Sequence, residues 1–308
     1  MDPVVSEPSI LVIGEALVDV VKRPGGSVVE YAGGSAANVA VALARLGRRV
    51  WFHTAFADDP YGEILRRHLE GSGVVLAGDP GSIERTSSAV ATLADDGSAS
   101  YVFDIDWRLG TLEMGVEEPA AVHTSSLAVV LRPGCDDIVA ALSQLRSAAV
   151  ISYDVNVRPS VTDTGPEVVA AVERVVALAD VVKASDEDLA SLYPHRSLSE
   201  SANALLALGP VAVVVTRGGE GASWITERSA GQIPSLPVVV ADTIGAGDTF
   251  GAALIDALCT RSLVGPGGRD ALKALEDEDW RAVCEYAAKV AAVTVSRPGA
   301  DPPYKHEL

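Results

Sequence analysis

Four short, mainly apolar runs, at 10–13, 150–153, 181–182 and 211–215, are separated along this chain by stretches whose apolar residues fall three and four apart. Runs of the first kind suit strands buried on both faces, as happens in parallel sheets. The stretches at 36–46, 61–69, 138–145, 168–178 and 201–208 contain few breakers and suit helices with one apolar face. Strands alternating with helices predict an α/β fold whose mostly parallel sheet is covered on both sides.

One segment departs from that rhythm. Residues 86–93 and 99–105 alternate apolar with polar side chains around Asp95-Asp96-Gly97, the chemistry of a tight hairpin turn. A half-buried antiparallel hairpin within a parallel α/β chain predicts a separate small sheet, and by itself it suits equally a lid over a site and an ordinary edge hairpin. Gly and charged residues crowd 265–279, and 280–295 reads as an Ala-rich helix ending before Pro298. With no repeat and no low-complexity linker, residues 1–308 are expected to form one domain with a small inserted sheet.

Composition narrows the partners. A formal net charge of −18, with no basic run, disfavours nucleic acid. Any phosphate site must therefore be built from backbone dipoles and a few local cations. Cys135, Cys259 and Cys284 have no spacing that suggests zinc or a redox dithiol. They point to a reducing cytoplasm. No apolar run is long enough to span a bilayer, and MDPVVSEPSI lacks the pattern of an export signal. The final Lys305-His306-Glu307-Leu308 looks like a retention tail, but no entry signal accompanies it.

Two segments carry chemistry. The first, Asp242-Thr243-Ile244-Gly245-Ala246-Gly247-Asp248-Thr249-Phe250, follows a strand-like 238–240 and opens a helical run at 249–259. Gly245, Ala246 and Gly247 leave backbone N–H groups free to turn inward at a helix N-terminus and hold an anionic oxygen. A carboxylate there would repel phosphate unless Asp248 takes a proton from an incoming hydroxyl. Read alone, Asp248 is better explained as a helix cap. The second segment, Tyr31 to Asn38, sets Gly33 and Gly34 before a helix, where a polyol can approach the backbone and Asn38 can both donate and accept. Asp19, after the first strand, can accept from two vicinal hydroxyls.

Together these segments resemble the PfkB family of ribokinase-like carbohydrate kinases, which includes ribokinase, fructokinase, 2-keto-3-deoxygluconate kinase and adenosine kinase. The resemblance covers nearly the whole chain. It begins at Gly14-Glu15-Ala16-Leu17-Val18-Asp19 and takes in Gly33-Gly34 through Gly47 and Asp58-Asp59-Pro60-Tyr61-Gly62. It continues through Asp154-Val155-Asn156-Val157-Arg158, Lys183-Ala184-Ser185-Asp186-Glu187-Asp188 and Thr216-Arg217-Gly218-Gly219-Glu220-Gly221 to the signature at 242–250. It implies a three-layer α/β/α fold, with a small β lid drawn from about 15–32 and 86–106 and a homodimer formed through that lid. The implied activity is ATP-dependent transfer of phosphate to a primary hydroxyl of a small carbohydrate.

By resemblance, Asp19, Gly33, Gly34 and Asn38 hold the sugar, Gly245 to Gly247 form the anion hole and Asp248 is the base. Tyr101, Phe103, Asn156 and Arg158 are further sugar-side candidates. Thr216, Gly218 and Gly221 belong to a loop that holds ATP, and 291–299 matches a segment beside adenine. The family's Asn-x-x-Glu motif, which organises magnesium and phosphate, is replaced here by Ser185-Asp186-Glu187-Asp188. Asp188 would then act on magnesium through water, with Ser185 beside the nucleotide. The residue matching Asp242 helps bind potassium in several relatives, which implies activation by K+.

The opening motif, Asp154-x-Asn156-x-Arg158 and Lys183-x-Ser185 look more like fructokinases than ribokinases, whose Lys after the paired glycines is Ser35 here. The Leu-Trp pair that often follows the Arg is absent. Acceptors left open are 2-keto-3-deoxygluconate, ribose, inositol or a nucleoside, with Arg108 or Arg132 available to read a carboxylate. A sugar-binding regulator of low activity is the non-enzyme alternative. No Gly-x-Gly-x-x-Gly turn follows the first strand, and neither a Gly-x-x-x-x-Gly-Lys-Ser/Thr loop nor a Gly-x-Ser-x-Gly elbow occurs. Those absences set aside a dinucleotide dehydrogenase, a P-loop kinase and an α/β-hydrolase.

Overall fold

A computed structural model describes residues 7–93, 99–113 and 118–308. The Asp95-Asp96-Gly97 turn and the first six residues lie outside the described residues. The first half runs β1 (Ser9–Ile13), β2 (Leu17–Lys22), β3 (Val28–Gly33), α1 (Ser35–Arg45), β4 (Arg49–His53), α2 (Pro60–Gly71), β5 (Val75–Leu76), β6 (Ser88–Leu93), β7 (Ala99–Asp104), β8 (Ala121–Ser125) and α3 (Gly134–Leu145). The second runs β9 (Val150–Asp154), α4 (Pro159–Thr162), α5 (Pro166–Val176), β10 (Val181–Ser185), α6 (Asp186–Leu192), α7 (Leu198–Leu206), β11 (Ala212–Thr216), β12 (Ala222–Thr226), β13 (Ala230–Ile233), α8 (Ala246–Thr260), α9 (Gly268–Lys273) and α10 (Asp277–Val295).

Nine strands form one sheet in the order β13-β12-β11-β10-β9-β8-β1-β4-β5, parallel except for β12 and β13 at one edge. Alternate residues of each strand serve opposite faces. Leu11, Ile13, Ile151, Tyr153 and Val182 pack with Ile138 of α3, Val172 of α5, Leu189 of α6 and Leu205 of α7. Ile10 and Val12 pack with α1 and α8, and Val150, Val181 and Val214 with α8 and α10. That is the expected three-layer α/β/α arrangement, and continuous apolar strands follow because neither face meets water. α8 is buried nearly all round, with Ala252, Ala253 and Ala257 letting it lie close to its neighbours.

The four-stranded second sheet has the order β3-β2-β6-β7, so the small sheet expected from 15–32 and 86–106 is present. β2 runs antiparallel to β3 and parallel to β6, while β6 and β7 form the predicted hairpin. Asp59 anchors it to the body. Its carboxylate caps α2 through the Gly62 N–H at 2.8 Å and also accepts from the Thr86 N–H at 2.9 Å and the Thr86 hydroxyl at 2.7 Å, just before β6. A Cβ on Gly62 would fall 1.9 Å from the Ala57 carbonyl oxygen, which explains the glycine of Asp58-Asp59-Pro60-Tyr61-Gly62.

Residues 238–240 correct an expectation. They pair in no sheet, and Val239 is 87% exposed. Apolar content alone does not separate a buried strand from an apolar surface segment. Among the described residues, no helix is long and apolar enough to cross a membrane.

Candidate active site

The signature segment closes on the N-terminus of α8. Gly245 caps it with φ of 74°, a left-handed conformation, and a Cβ there would sit 2.7 Å from that of Ala300. Ala246 and Gly247 open the first turn; the Ala246 N–H donates to the Thr243 carbonyl at 3.2 Å, while the Gly247 N–H and the positive dipole end favour an anion. Asp248 follows, buried. Its two oxygens do not cap the helix: Oδ1 accepts from the Ser35 hydroxyl and Oδ2 from the Asn38 side-chain amide, each at 2.8 Å. Asn156 in turn donates to Ser35 Oγ at 2.8 Å from a left-handed backbone with φ of 38°. Such a strained non-glycine residue fits a functional site.

Gly33 ends β3, and Gly34 precedes α1 with φ of 101°. A Cβ on Gly33 would lie 2.2 Å from Asp19 Oδ2, and one on Gly34 would lie 2.6 Å from the Glu15 carbonyl oxygen. The paired glycines thus let Asp19 fold across the start of α1. Burial raises the Asp19 carboxyl to about 6, with the Arg158 charge pulling it back. Burial raises Glu15 further, to about 7; hydrogen bonds to backbone N–H groups oppose the rise, and the Asp248 charge adds to it. Arg158 acts on both acids, so Glu15, Asp19, Arg158 and Asp248 share one electrostatic neighbourhood.

Cross-strand register aligns Tyr31 with Asp19, Asp19 with Ala89 and Ala89 with Phe103. Tyr101, two residues from Phe103, stacks on it at 6.1 Å and is 61% exposed. Both aromatics therefore share the sheet face that bears Asp19. Arg132 is committed to Asp136 at 3.0 Å.

At the end of β11 stands Thr216; Gly218 opens a 3-10 turn with φ of 46°, and Gly221 closes it with φ of 96°. A Cβ on Gly221 would fall 2.1 Å from the Ile233 carbonyl oxygen, so this loop lies against the chain leaving β13. Exposed Val239, Val240 and Ile244 continue from there toward α8 and offer an apolar surface beside it. Asp242 joins that segment to the end of 291–299 by accepting from the Ile244 N–H at 3.0 Å and the Gly299 N–H at 2.9 Å. Those bonds hold its carboxyl below the usual range.

Ser185 and Asp188 form a capping box at the start of α6. Asp188 accepts from the Ser185 N–H at 2.7 Å and from the Val157 N–H at 2.8 Å, tying α6 to the Asn156 loop. Among the described residues, no three His, Cys, Asp or Glu side chains are grouped to hold a metal by themselves.

Sequence reasoning gave no role to Ser35, Glu15 or Lys183. Ser35 sits between Gly33-Gly34 and Asn38, yet only folding brings it to Asp248. Lys183 carried the clearer signal, a charged residue inside a buried apolar strand. Its ammonium meets Asp154 at 2.8 Å, with both side chains nearly inaccessible.

Comparison with known proteins adds to this geometry. The pattern described as "pfkB family carbohydrate kinase" matches residues 7–307. A fructokinase of Rhizobium leguminosarum bv. trifolii is 35% identical over 260 residues, covering 81% of this chain and 79% of its own. The crystal structure of an ATP-bound fructokinase from Xylella fastidiosa superposes with a TM-score of 0.81 at 25% identity, covering 96% of this chain and 94% of that one. A Vibrio cholerae O395 fructokinase double mutant bound to fructose, ADP and a potassium ion gives a TM-score of 0.78 at 28% identity, covering 96% and 94%. With its ribokinase-like core, lid sheet and signature in register with that pattern along almost its entire length, the chain belongs to the pfkB family of carbohydrate kinases.

Proposed function

We propose that this carbohydrate kinase transfers the γ-phosphoryl group of ATP to a primary hydroxyl of fructose, with Asp248 as the base. The observation that carries the reading is the placement of Asp248, whose carboxylate adjoins the anion-binding turn of α8 and is held by Ser35 and Asn38 from the sugar-side segment. A base must lie where acceptor and phosphate meet, and this carboxylate belongs to both walls. The hydroxyl oxygen forms the new bond to Pγ as its proton passes to Asp248, and the bond from Pγ to the ADP oxygen breaks. Asp19 and Asn38 orient the acceptor hydroxyls, and the N–H groups of Gly245 and Gly247, with the dipole of α8, face the charge on the transferring group. The fructokinase relatives support fructose as the acceptor.

Magnesium fits this donor set when held mainly by the nucleotide's phosphates. Both Asp188 oxygens already accept a backbone N–H, and each keeps one lone pair for an outer-sphere water. The ion would neutralise phosphate charge. Ionised Asp242, bridging two loops beside the anion turn, suits a potassium ion that steadies that turn. Exposed Val28, Tyr31, Tyr101 and Val102 on the lid support a homodimer formed there. Three free cysteines accord with a cytoplasmic setting.

The test is ADP release measured with fructose, ribose, 2-keto-3-deoxygluconate, inositol and nucleosides. Fructose should give the highest kcat/KM. A preference for another acceptor would reassign the substrate, and turnover of none would remove the kinase reading.

A further inference from the structure

We propose that Lys183 is a positioning residue for phosphoryl transfer, its ammonium held by Asp154 beneath the first turn of α8 so that its charge reinforces the anion hole at Gly245 to Gly247. The inference rests on the kinase reading and adds to it a cation fixed in the protein beneath the anion hole, in a chain of net charge −18 and within electrostatic reach of Asp154, Asp188 and Asp248.

The placement is specific. Lys183 lies on β10 opposite Asp154 of β9, on the sheet face that α8 covers. A Cβ on Gly247 would come 3.3 Å from Lys183 Nζ, and one on Gly251 would come 3.8 Å from its Cδ. The ammonium therefore lies directly under the anion-binding turn, and two glycines one helical turn apart give the side chain its room. Burial works against the charge, yet Asp154, Asp188 and Asp248 hold the Lys183 pKa above its ordinary value. Nearby His123 is kept neutral, pushed to about 3 by burial and then by Lys183.

A stabilising role does not account for this pair. Buried ion pairs are often replaceable by apolar side chains without loss, and this one is incompletely satisfied, since Asp154 Oδ1 has no hydrogen-bond partner among the described residues. A fixed charge in a low-dielectric interior is felt at the helix terminus and needs no reorganisation as the phosphoryl group moves.

The experiment compares wild type with Lys183→Met and with the double variant Asp154→Asn/Lys183→Met, which removes the pair without leaving a lone buried charge. A structural pair predicts that the folded double variant regains wild-type kcat together with its Tm. The inference expects the Tm to recover while kcat stays down by about 10²- to 10³-fold, with KM for the sugar little changed. Affinity for ADP with aluminium fluoride, a mimic of the transferring phosphoryl group, should fall in parallel, and affinity for ADP alone should hold. If the double variant does not fold, Lys183→Met alone carries the same binding comparison. A folded variant whose kcat stays within about fivefold of wild type overturns this inference and leaves the kinase reading intact. A wild type that turns over no acceptor overturns both.

Discussion

Ser35 Oγ donates to Asp248 Oδ1 at 2.8 Å although 213 positions separate the two residues. The same hydroxyl oxygen accepts from Asn156, so one small side chain fixes the carboxylate and links it to a second loop. Ser35→Ala should therefore lower kcat about tenfold, as expected when a charge-assisted hydrogen bond is lost, and leave sugar KM nearly unchanged. Ser35→Thr should restore much of the loss. Steady-state kinetics of the two variants check this, and an alanine variant with wild-type kcat would show the bond to be incidental.

Asp248→Asn is the sharper substitution. It keeps the size of the side chain, while a positioned base contributes about 10² to 10⁴ in rate. Turnover should fall by that order, with fructose and ADP still bound in calorimetry. Removing a negative charge beside the phosphates should leave nucleotide affinity the same or better.

Gly33→Ala should act through Asp19. The new methyl would enter the space held by Asp19 Oδ2 and turn the carboxylate away from the place proposed for the sugar. Losing those hydrogen bonds costs about 1 to 3 kcal/mol, so KM for fructose should rise while nucleotide affinity and Tm change little. Crystals of the variant should show Asp19 displaced. An unmoved carboxylate with normal KM would count against its assigned role.

Glu15 should make the protein less stable as pH rises. Its folded pKa of about 7 lies above that of an unfolded glutamate. The folded state thus binds the proton more tightly, and the resulting stability, full below the unfolded pKa, is lost as pH climbs through the folded one. His123, whose folded pKa is depressed, acts in the opposite sense at lower pH, so the variant must be compared with wild type at each pH. Glu15→Gln should gain stability relative to wild type between pH 5 and 8, by about 2 to 3 kcal/mol in the difference. Denaturant melts at the two pH values measure it, and a constant gap would refute it.

The sequence made the main sheet, its covering helices and the lid hairpin legible, because burial on two faces and burial on one leave different periodicities. It did not reveal β12 and β13, where Ala222–Thr226 and Ala230–Ile233 mix polar with apolar residues at the sheet edge. Gly245 to Asp248 could be found because the turn is local. Ser35 and Lys183 were harder, since their importance depends on residues far along the chain that meet them only in the fold. Asp188 was read for its charge, and the structure adds the two backbone N–H groups it holds.

The parallel pairing of β2 with β6 also dictates an order of assembly during synthesis. The ribosome delivers the hairpin of β2 and β3 first, but its partner edge emerges only after α1, β4 and α2. α8 follows much later, and its packing against α10 must wait for nearly the last residues. A growing chain thus acquires Asp19 and Asn38 well before the carboxylate proposed as the base. Fragments that end before 246 contain Asp19 and Asn38 but lack both Asp248 and the first turn of α8, so under the proposed mechanism an interrupted round of translation yields a product with neither base nor anion hole.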